Sequence, residues 1–450
     1  MIERVRRNAE LSMVVLGALV VAAAYVLASL GATASIPANI GPFLVVVLGL
    51  LVAAHLAVRR LAPGADGMLL PLAGLLNGIG YVFIARLDRE LAGLQATWTA
   101  IGIGAFILTL VLVRRARDLE RYRYTALVAG VVLLMLPLVP GIGREVKGAR
   151  IWVGLGPVNF QPGEFAKITL AIFFAAYLVE RRELLGMATW PRFRPVLPEP
   201  RLLGPVVIAW GLAIVVMTAE KDLGSSLLFF ALFMVLLWVA TERAVYLVAG
   251  AGLFSAAAVL AWRMFAHVQD RVTNWIDPWK DANGKGYQII QGWYAMAWGG
   301  VGGRGIGLGS PTRIPEAKND FIFAAIGEEL GLLGATAVLI AFLLMVGAGL
   351  RIAVRAESAF DKLLATGLTA LLAFQTFIIV AGVIRLLPLT GVTLPFVSYG
   401  GSSLVANYVL LALLLRISDE TSRRERDRER LRNEAAAALD QDLPLAGSPA

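Results

Sequence analysis

Long apolar runs, separated by short charged or glycine- and proline-rich breaks, dominate the chain. A helix needs about 20 mostly apolar residues to cross the hydrocarbon core of a bilayer, and runs of this kind recur about twelve times. The pattern therefore predicts an all-α, polytopic transmembrane bundle. Its helices are expected near residues 11–31, 42–59, 67–85, 97–113, 124–140, 164–180, 202–218, 223–240, 244–262, 320–350, 362–384 and 399–416.

Composition agrees with a membrane protein and removes several kinds of chemistry. The chain is 58% hydrophobic and 16% charged, whereas soluble domains are about half apolar and a quarter charged. It has no cysteine, and its two histidines, His55 and His267, are far apart, so disulfides, cysteine nucleophiles and a protein-built zinc site are not expected. The net charge of +9 comes from basic residues that flank the apolar runs, so we predict no nucleic-acid partner.

The distribution of Lys and Arg predicts the topology. Basic residues crowd every second break, from Arg4–Arg7 and Arg59–Arg60 to Arg114–Arg123 and the tail, while the intervening short loops carry almost none. Because cytoplasmic loops are rich in Lys and Arg, both termini are expected inside. Three stretches, 141–163, 263–319 and 385–398, then lie outside. The second is far longer than an ordinary connection, which favours a functional loop.

This long loop ends at Asp320, directly before the apolar run that begins with Phe321. One interpretation is that Asn319 or Asp320 caps the helix that enters the membrane. The functional alternative is a carboxylate at the outer membrane surface that acts as a general base. The glycine-rich stretch Gly300–Gly305 in the same loop matches GxGxxG, but it joins no strand to a helix, so dinucleotide binding is not predicted.

Other charged residues fall in or beside apolar runs, where they need partners or an aqueous cavity. Glu328 is about 80° round a straight helix from Asp320, and Glu329 lies on the opposite side. Glu164 and Lys167, at i and i+3, form either a structural ion pair or part of a site.

Two further stretches carry the same choice between structure and function. Arg150, two residues before Trp152, either meets a substrate phosphate or anchors the interface. The stretch 393–403 breaks an apolar region with Pro395 and Gly400–Gly401, which predicts a cavity wall.

Three blocks contain the candidate residues. They are Gly148-Ala-Arg-Ile-Trp152 with Gln161-Pro-Gly-Glu-Phe-Ala-Lys167, then Asp320-Phe-Ile-Phe with Gly327-Glu-Glu-Leu-Gly331, then Leu387-Pro-Leu-Thr-Gly391 with Leu394-Pro-Phe-Val-Ser-Tyr-Gly-Gly-Ser-Ser403. Taken together, they resemble the signature of the SEDS family, which includes RodA, FtsW and SpoVE. They occur in the family's order, and the resemblance covers roughly residues 68–416.

The resemblance implies a glycosyltransferase that polymerises lipid II into peptidoglycan at the outer face of the cytoplasmic membrane, together with a class B penicillin-binding transpeptidase. The family's essential aspartate falls on Asp320, its Glu and Lys on Glu164 and Lys167, and its arginine on Arg150. Three positions depart from the pattern: Glu220 and Lys221, in Glu220-Lys-Asp-Leu-Gly224 where Gln-Pro-Asp-x-Gly is usual, and Arg385, where a small residue is commoner.

Chain growth needs a base for the attacking hydroxyl and positive charge for the departing diphosphate. Our hypothesis makes Asp320 the base or the group that orients the acceptor. Positive charge would come from Arg150, Lys167 and either Arg271 or Lys318, with a divalent cation, Mg or Mn, accompanying the diphosphate. The remaining candidates for substrate contact are Tyr287, Gln288, Gln291, Glu328 and Ser398.

The resemblance also predicts a division of the chain. Residues 1–66 form two additional N-terminal transmembrane helices, 67–417 form the core with the loop 263–319, and 418–450 form a charged, disordered cytoplasmic tail. Two competing functions remain open from the residues alone. Buried charges in a bundle of this size would also suit a flippase for the lipid-linked precursor, and the chain could serve as a non-catalytic scaffold for a transpeptidase.

Overall fold

The structure, a computed structural model, describes residues 2–36, 40–146, 149–155, 158–186, 211, 219–220 and 222–442. Thirteen α-helices account for most of these residues. The helices are α1 Ile2–Thr33, α2 Ile40–Leu61, α3 Leu69–Leu87, α4 Arg89–Leu112, α5 Arg123–Met135, α6 Gly163–Gly186, α7 Leu223–Thr241, α8 Ala244–Met264, α9 Ala266–Ile276, α10 Tyr287–Gly299, α11 Ile322–Arg355, α12 Ala359–Val383 and α13 Gly401–Asp442.

The helices lie where the apolar runs predict them. Within the described ranges, nine helical segments are long and apolar enough to cross a membrane. Helices α2 and α6 occupy two more of the predicted positions. The predicted helix at 202–218 lies outside the described residues, apart from Gly211.

The bundle has a packed centre and an apolar perimeter. Helix α13 packs along α4, α11 along α12, and α1 along α3. Tyr408 of α13 is fully buried, where it contacts Phe396 edge-on and accepts a hydrogen bond from Asn77 Nδ2 at 3.0 Å. Large apolar side chains cover the outside instead, with Val248 73% and Leu343 69% exposed. Such a surface needs lipid rather than water around it.

The stretch 141–163, expected to be a connection in an all-α fold, contains a small sheet. Strands β1 Gly143–Val146, β2 Ala149–Leu155 and β3 Val158–Phe160 pair antiparallel in the order β1-β2-β3. The sheet adjoins the end of α5 and precedes α6 directly. We call this end of the bundle the site end, and the opposite end, where α13 extends beyond the bundle, the tail end.

Helix α11 is not the single straight helix that its apolar run predicts. Gly331 has φ 68° and ψ −167°, a conformation that favours glycine, and it separates a nine-residue segment, Ile322–Leu330, from the rest of the helix. The backbone N–H groups of Leu332 and Leu333 donate to the carbonyls of Gly300 and Val301, so the glycine-rich loop packs at the kink.

At the tail end, the predicted boundary between core and tail at 417/418 falls inside α13, and residues 418–442 are helical rather than disordered. The first turn beyond the boundary is held by the loops around it. Ser418 Oγ accepts from Asp66 N at 3.0 Å, Asp419 Oδ1 from Gly64 N at 2.7 Å, and Glu420 Oε1 from Ala116 N at 2.5 Å. Buried backbone N–H groups need acceptors, and the side chains of residues 418–420 supply them. Helix α13 therefore continues past the end of its apolar run.

The two N-terminal helices join the same bundle. Glu10 of α1 is fully buried, pairs with Arg7, and lies 3.0 Å from His55 Nδ1 of α2. Arg7 also donates to the carbonyl of Ala65, in the connection to α3. Helices α1 and α2 are therefore tied to each other and to the start of the core by buried polar contacts.

Candidate active site

The loop between α12 and α13 connects the charged residues that the sequence singled out. Its carbonyls at Leu389 and Thr390 accept from Arg271, and Thr393 O accepts from Gln375 Nε2 at 2.9 Å. Further along, Ser398 contacts the residue before Asp320, and Ser402 Oγ accepts from Gln161 N at 2.9 Å. We call residues 387–400 the linking loop; Ser402 lies in the first turn of α13.

Asp320 does not cap the helix that follows it. The N-cap position of α11 is Phe321, which makes no side-chain capping bond, so neither Asn319 nor Asp320 occupies that position. The linking loop instead fixes the backbone before Asp320, because Ser398 Oγ donates to Asn319 O at 2.5 Å and Tyr399 N donates to Lys318 O at 2.9 Å. Asp320 is partly exposed, and the linking loop helps to hold the backbone before it.

Of the candidate site residues, Gln288 and Arg271 interact with Asp320 in the structure. Gln288 Nε2 lies 3.5 Å from Asp320 Oδ1 and donates to Pro315 O at 3.0 Å. Arg271 Nη1 donates to Leu389 O at 3.1 Å and Thr390 O at 2.9 Å. Burial lowers the pKa of Arg271, and the carboxylates of Asp222 and Asp320 act in the opposite direction.

Arg150 lies on β2 with an exposed side chain. Its backbone N–H donates to Glu220 O at 3.1 Å, which joins the sheet to the start of α7. Glu220 is only 3% exposed, and burial, followed by the nearby Asp222, raises the pKa of its carboxyl to about 8. At the position where the resemblance leads one to expect a glutamine, the chain thus carries a carboxyl that stays largely protonated at neutral pH.

Glu164 and Lys167 form the ion pair that their spacing predicts. Lys167 Nζ lies 2.7 Å from Glu164 Oε2, and both side chains are at most 5% exposed. Lys167 also donates to Gln375 Oε1 of α12 at 3.0 Å, and Gln375 in turn donates to the linking loop. The ammonium group is therefore engaged by the protein on two sides.

Lys318 and Glu328 point away from a shared site with Asp320. Lys318 Nζ pairs with Asp88 Oδ2 at 3.0 Å, and this contact lowers the pKa of Asp88. Glu328 Oε1 accepts from Ser310 N at 2.7 Å and lies 3.9 Å from Arg304 Nη1. The geometric argument for Glu328 assumed a straight helix, whereas its carboxylate here anchors the loop that packs at the Gly331 kink.

Glu329 completes that anchor. Its Oε2 accepts from Gly307 N at 2.9 Å, and its Oε1 lies 3.6 Å from Arg86 Nε. The expectation that both carboxylates need partners is met by the loop backbone and by two arginines.

Tyr287 and Gln291 lie one helical turn apart on α10, with Tyr287 37% exposed. Arg385, which departs from the family pattern, lies beside this helix and has contacts of its own. Its guanidinium donates to the carbonyls of Trp275 and Ile276 and lies 4.9 Å from the ring centre of Trp293. Arg385 thus joins the end of α12 to the long loop.

An apolar groove of about 590 Å³ runs to Arg271 between α7, α8, α9 and the first residues of the linking loop. Phe230, Phe254 and Leu260 contribute to its walls. Arg271 is a cation at the edge of an otherwise apolar channel, an arrangement that suits an amphiphile with a negatively charged head.

Sequence reasoning missed Gln375, Thr393 and Asp222 as parts of this arrangement. Gln375 is a buried polar residue inside an apolar helix, a signal that could have marked it. Asp222 receives two hydrogen bonds from Ser225, at 3.0 Å and 2.6 Å, as the N-cap of α7. Nothing in the spacing of Thr393 distinguishes it from the other polar residues of its block.

Fold and site together define a multi-pass membrane protein with a polar, charged site at one end of its bundle. The family described as "Cell cycle protein", whose model is named for FtsW, RodA and SpoVE, matches residues 81–423. The chain belongs to this FtsW/RodA/SpoVE family.

Similar proteins extend this match. The chain is 44% identical over 444 residues to the peptidoglycan glycosyltransferase RodA of Mycobacterium tuberculosis strain H37Rv, covering 96% of this chain and 95% of that protein. The Mycobacterium leprae RodA is 42% identical and covers 92% and 90%. A probable peptidoglycan glycosyltransferase FtsW of a Geobacter species is 37% identical, covering 64% of this chain and 76% of that protein.

Solved structures agree in fold. A chain from a structure described as "Structural coordination of polymerization and crosslinking by a peptidoglycan synthase complex" gives a TM-score of 0.67 at 28% identity, covering 79% of this chain and 98% of that one. The Thermus thermophilus RodA structure gives 0.56 at 24% identity, covering 79% and 96%. The mycobacterial relatives therefore align over more of this chain than these solved structures do.

Proposed function

We propose that this protein is a peptidoglycan glycosyltransferase that polymerises lipid II into glycan strands at the outer face of the bacterial cytoplasmic membrane. The observation that carries the proposal is Asp320, held at the end of the long loop beside Arg271, which in turn lies at the edge of the apolar groove. A carboxylate, a cation and a lipid-sized groove are the three features that this reaction requires.

In the proposed reaction, a hydroxyl oxygen of the acceptor sugar forms a bond to the anomeric carbon of the lipid-linked sugar. The bond from that carbon to the lipid diphosphate breaks, and the diphosphate leaves with the electron pair. Asp320 accepts the hydroxyl proton or orients the hydroxyl for attack, while Gln288 beside it holds the carboxylate.

Positive charge for the leaving diphosphate comes from Arg271 and Arg150. Arg271 is fixed by two carbonyls at the edge of the groove, so the polyprenyl chain lies in the groove and the diphosphate meets the guanidinium. Arg150 projects, exposed, from a strand whose backbone is bonded to Glu220. Lys167, buried with Glu164, acts through Gln375 on the linking loop rather than on the diphosphate.

A divalent cation, Mg or Mn, accompanies the substrate diphosphate in this scheme. In the described part of the chain, no group of three or more His, Asp or Glu side chains could hold a metal ion by itself. The diphosphate oxygens would supply ligands for such a cation. Chelation should lower the polymerisation rate without lowering the unfolding temperature of the protein.

The partner we propose is a class B penicillin-binding transpeptidase, and the cellular role is elongation. The solved complex of a peptidoglycan synthase supports the first, and the RodA names of the mycobacterial relatives support the second. Pulldown of the partner with the full chain tests both statements, because elongation and division use different transpeptidases.

The decisive experiment compares polymerisation of purified lipid II by the wild-type chain and by Asp320→Asn, each with its transpeptidase. Loss of general-base catalysis costs about 10²- to 10⁴-fold, so we expect the variant to fall by at least about 100-fold. Asp270→Asn is the matched control, since Asp270 lies in the same loop and pairs with an exposed Lys285. Full activity of Asp320→Asn would reject the proposed role of Asp320.

Two further assays, each read together with glycan product formation, distinguish the two competing functions. Lipid II translocation in proteoliposomes without glycan product would indicate a flippase. Binding of the transpeptidase with no glycan product under any condition would indicate a scaffold.

A further inference from the structure

A second cavity, of about 730 Å³, lies at the site end between α1, α3 and α4. Its rim is polar, with Arg86 and Arg89 on one side and Ser29, Thr33 and Ser35 on the other. This volume is within the range of small-molecule sites in proteins. None of the residues described for the proposed reaction lines it.

Small side chains and two tyrosines line the rest of the cavity. Ala28, Ala85 and Ala92 leave space between the three helices, and Tyr25 and Tyr81 lie next to each other with ring centres 6.2 Å apart. Tyr81 precedes Arg86 by more than one turn of α3, so these rings lie below the rim. The cavity thus combines a polar rim with a largely apolar interior.

The rim carries one cation, Arg89, that the described carboxylates do not neutralise. None of the described lining residues is acidic. Arg89 is exposed, and no described carboxylate pairs with it; the adjacent Asp88 pairs with Lys318 and caps α4. Arg86 is engaged already, because its Nη2 donates to Gly307 O at 3.3 Å and Gly309 O at 3.2 Å, and its Nε lies 3.6 Å from Glu329 Oε1. Arg89 is therefore the cation available to a phosphate.

The three hydroxyl groups on the opposite side have already used their protons. Thr33 Oγ1 donates to Ser29 O and Ser29 Oγ donates to Ser35 O, both at 2.9 Å. Ser35 Oγ lies 2.8 Å from Thr33 Oγ1, so it supplies the proton of that bond. A ligand would meet hydrogen-bond acceptors here, which suits a head group that brings hydroxyl donors of its own.

One amphiphilic ligand would fit all of these features. We propose that the cavity binds an anionic phospholipid of the adjoining leaflet, with its phosphate at Arg89 and a hydroxyl-bearing head group at Ser29, Thr33 and Ser35. The acyl chains lie against the small residues of α1, α3 and α4. Phosphatidylglycerol has this chemistry, whereas phosphatidylcholine has the same phosphate with a cationic head group and no hydroxyl.

The site gives helix α1 a role. A β-carbon at Gly31 would lie 2.4 Å from Ile306 O, so the outer turn of α1 packs directly on the loop that Glu328 and Glu329 anchor. The lipid would fill the space that remains between α1 and the core on this side, and it would stabilise the folded chain in proportion to its affinity.

Native mass spectrometry of the purified full-length protein tests the proposal with phosphatidylglycerol and phosphatidylcholine of identical acyl chains. We expect the wild type to prefer phosphatidylglycerol and Arg89→Gln to bind it roughly tenfold more weakly, the loss typical of one charge-assisted contact. Arg263→Gln is the matched control, since Arg263 lies exposed in the last turn of α8, away from the cavity. It should bind like the wild type.

A second variant tests the cavity independently of charge. Ala92→Phe places a ring in the space between the helices and should abolish the preference for phosphatidylglycerol while leaving the protein folded. Equal binding of both lipids by the wild type, or unchanged binding by both variants, would overturn the proposal. Equally tight binding of inorganic phosphate, or displacement of phosphatidylglycerol by lipid II at equal concentration, would overturn the assignment to a phospholipid.

Discussion

Two groups of site residues differ in how far water reaches them. Glu164, Lys167 and Gln375 are almost completely buried and bonded to one another. Arg150 is exposed and Asp320 is partly exposed, and backbone bonds fix Arg150 itself and the two residues before Asp320. The first group has the properties of a structural support, and the second has those of a surface that contacts substrate. Sequence blocks of the same family nevertheless contribute to both.

Removal of one member of the buried Glu164–Lys167 pair is the most direct test of this difference. Lys167→Met leaves the Glu164 carboxylate buried without its cation, which should cost about 3–5 kcal/mol in the free energy of unfolding. Thermal unfolding in detergent measures the loss. The double variant Glu164→Gln/Lys167→Met should recover most of the stability, since no uncompensated charge remains. A stable Lys167→Met protein with normal folding would show that the pair is not structural.

The buried carboxyl of Glu220 offers a test by pH. Its folded-state pKa of about 8 exceeds the ordinary value of 4.5, so the folded chain binds this proton more tightly than the unfolded chain does. Its contribution to stability is complete below about pH 4.5, falls as pH rises to about 8 and is then constant. Glu220→Gln has no proton to lose, so its unfolding temperature should increasingly exceed that of the wild type across this interval.

Glu145→Gln provides the control for that series, since Glu145 is an exposed glutamate on β1. Its difference from the wild type should not vary with pH in the same interval. A constant difference for Glu220→Gln as well would show that Glu220 is ionised in the folded protein.

Arg150 should show the opposite behaviour to Lys167. Removal of an exposed cation leaves no buried charge behind, so Arg150→Gln should unfold at the wild-type temperature. Its polymerisation rate should fall by about 10- to 100-fold, the loss of one charge-assisted contact to the diphosphate. Arg144→Gln, on the neighbouring strand, should retain activity. A destabilised but fully active Arg150→Gln would assign Arg150 to the sheet rather than to substrate.

The smallest effect is expected where the linking loop holds the backbone before Asp320. Ser398→Ala removes the bond to Asn319 O and the bond that Ser398 Oγ accepts from Leu394 N, and it should lower the polymerisation rate by about two- to tenfold, in keeping with the loss of neutral hydrogen bonds. Ser255→Ala, which removes a local bond on the exposed side of α8, is the control. An unchanged rate in Ser398→Ala would mean that Tyr399 alone suffices to place this backbone.

Helix positions were predictable because the length of an apolar run reflects the thickness of the bilayer, a constraint that acts on each segment separately. The sheet at 143–160 was not, since strands of three to seven residues in a polar stretch leave little periodic signal. The kink at Gly331 also escaped prediction, because one glycine inside an apolar run usually stays helical.

For the site, the sequence identified residue types but not their partners. Asp320 and the Glu164–Lys167 pair followed from motif and spacing, and the pair is present in the structure. Lys318 is only two residues from Asp320 in sequence. Its ammonium nevertheless pairs with Asp88, more than 200 residues away. Partners of this kind depend on tertiary packing, which local spacing does not determine.

Helix α13 begins at Gly401, beside the loop that fixes Asp320, and continues without interruption to Asp442. At 1.5 Å per residue, its 42 residues form a rod about 63 Å long. A protein that binds its charged end would therefore bind one end of a continuous helix whose other end lies beside the proposed reaction centre. A rotation or thrust generated on one side of the membrane would be felt on the other with no hinge in between.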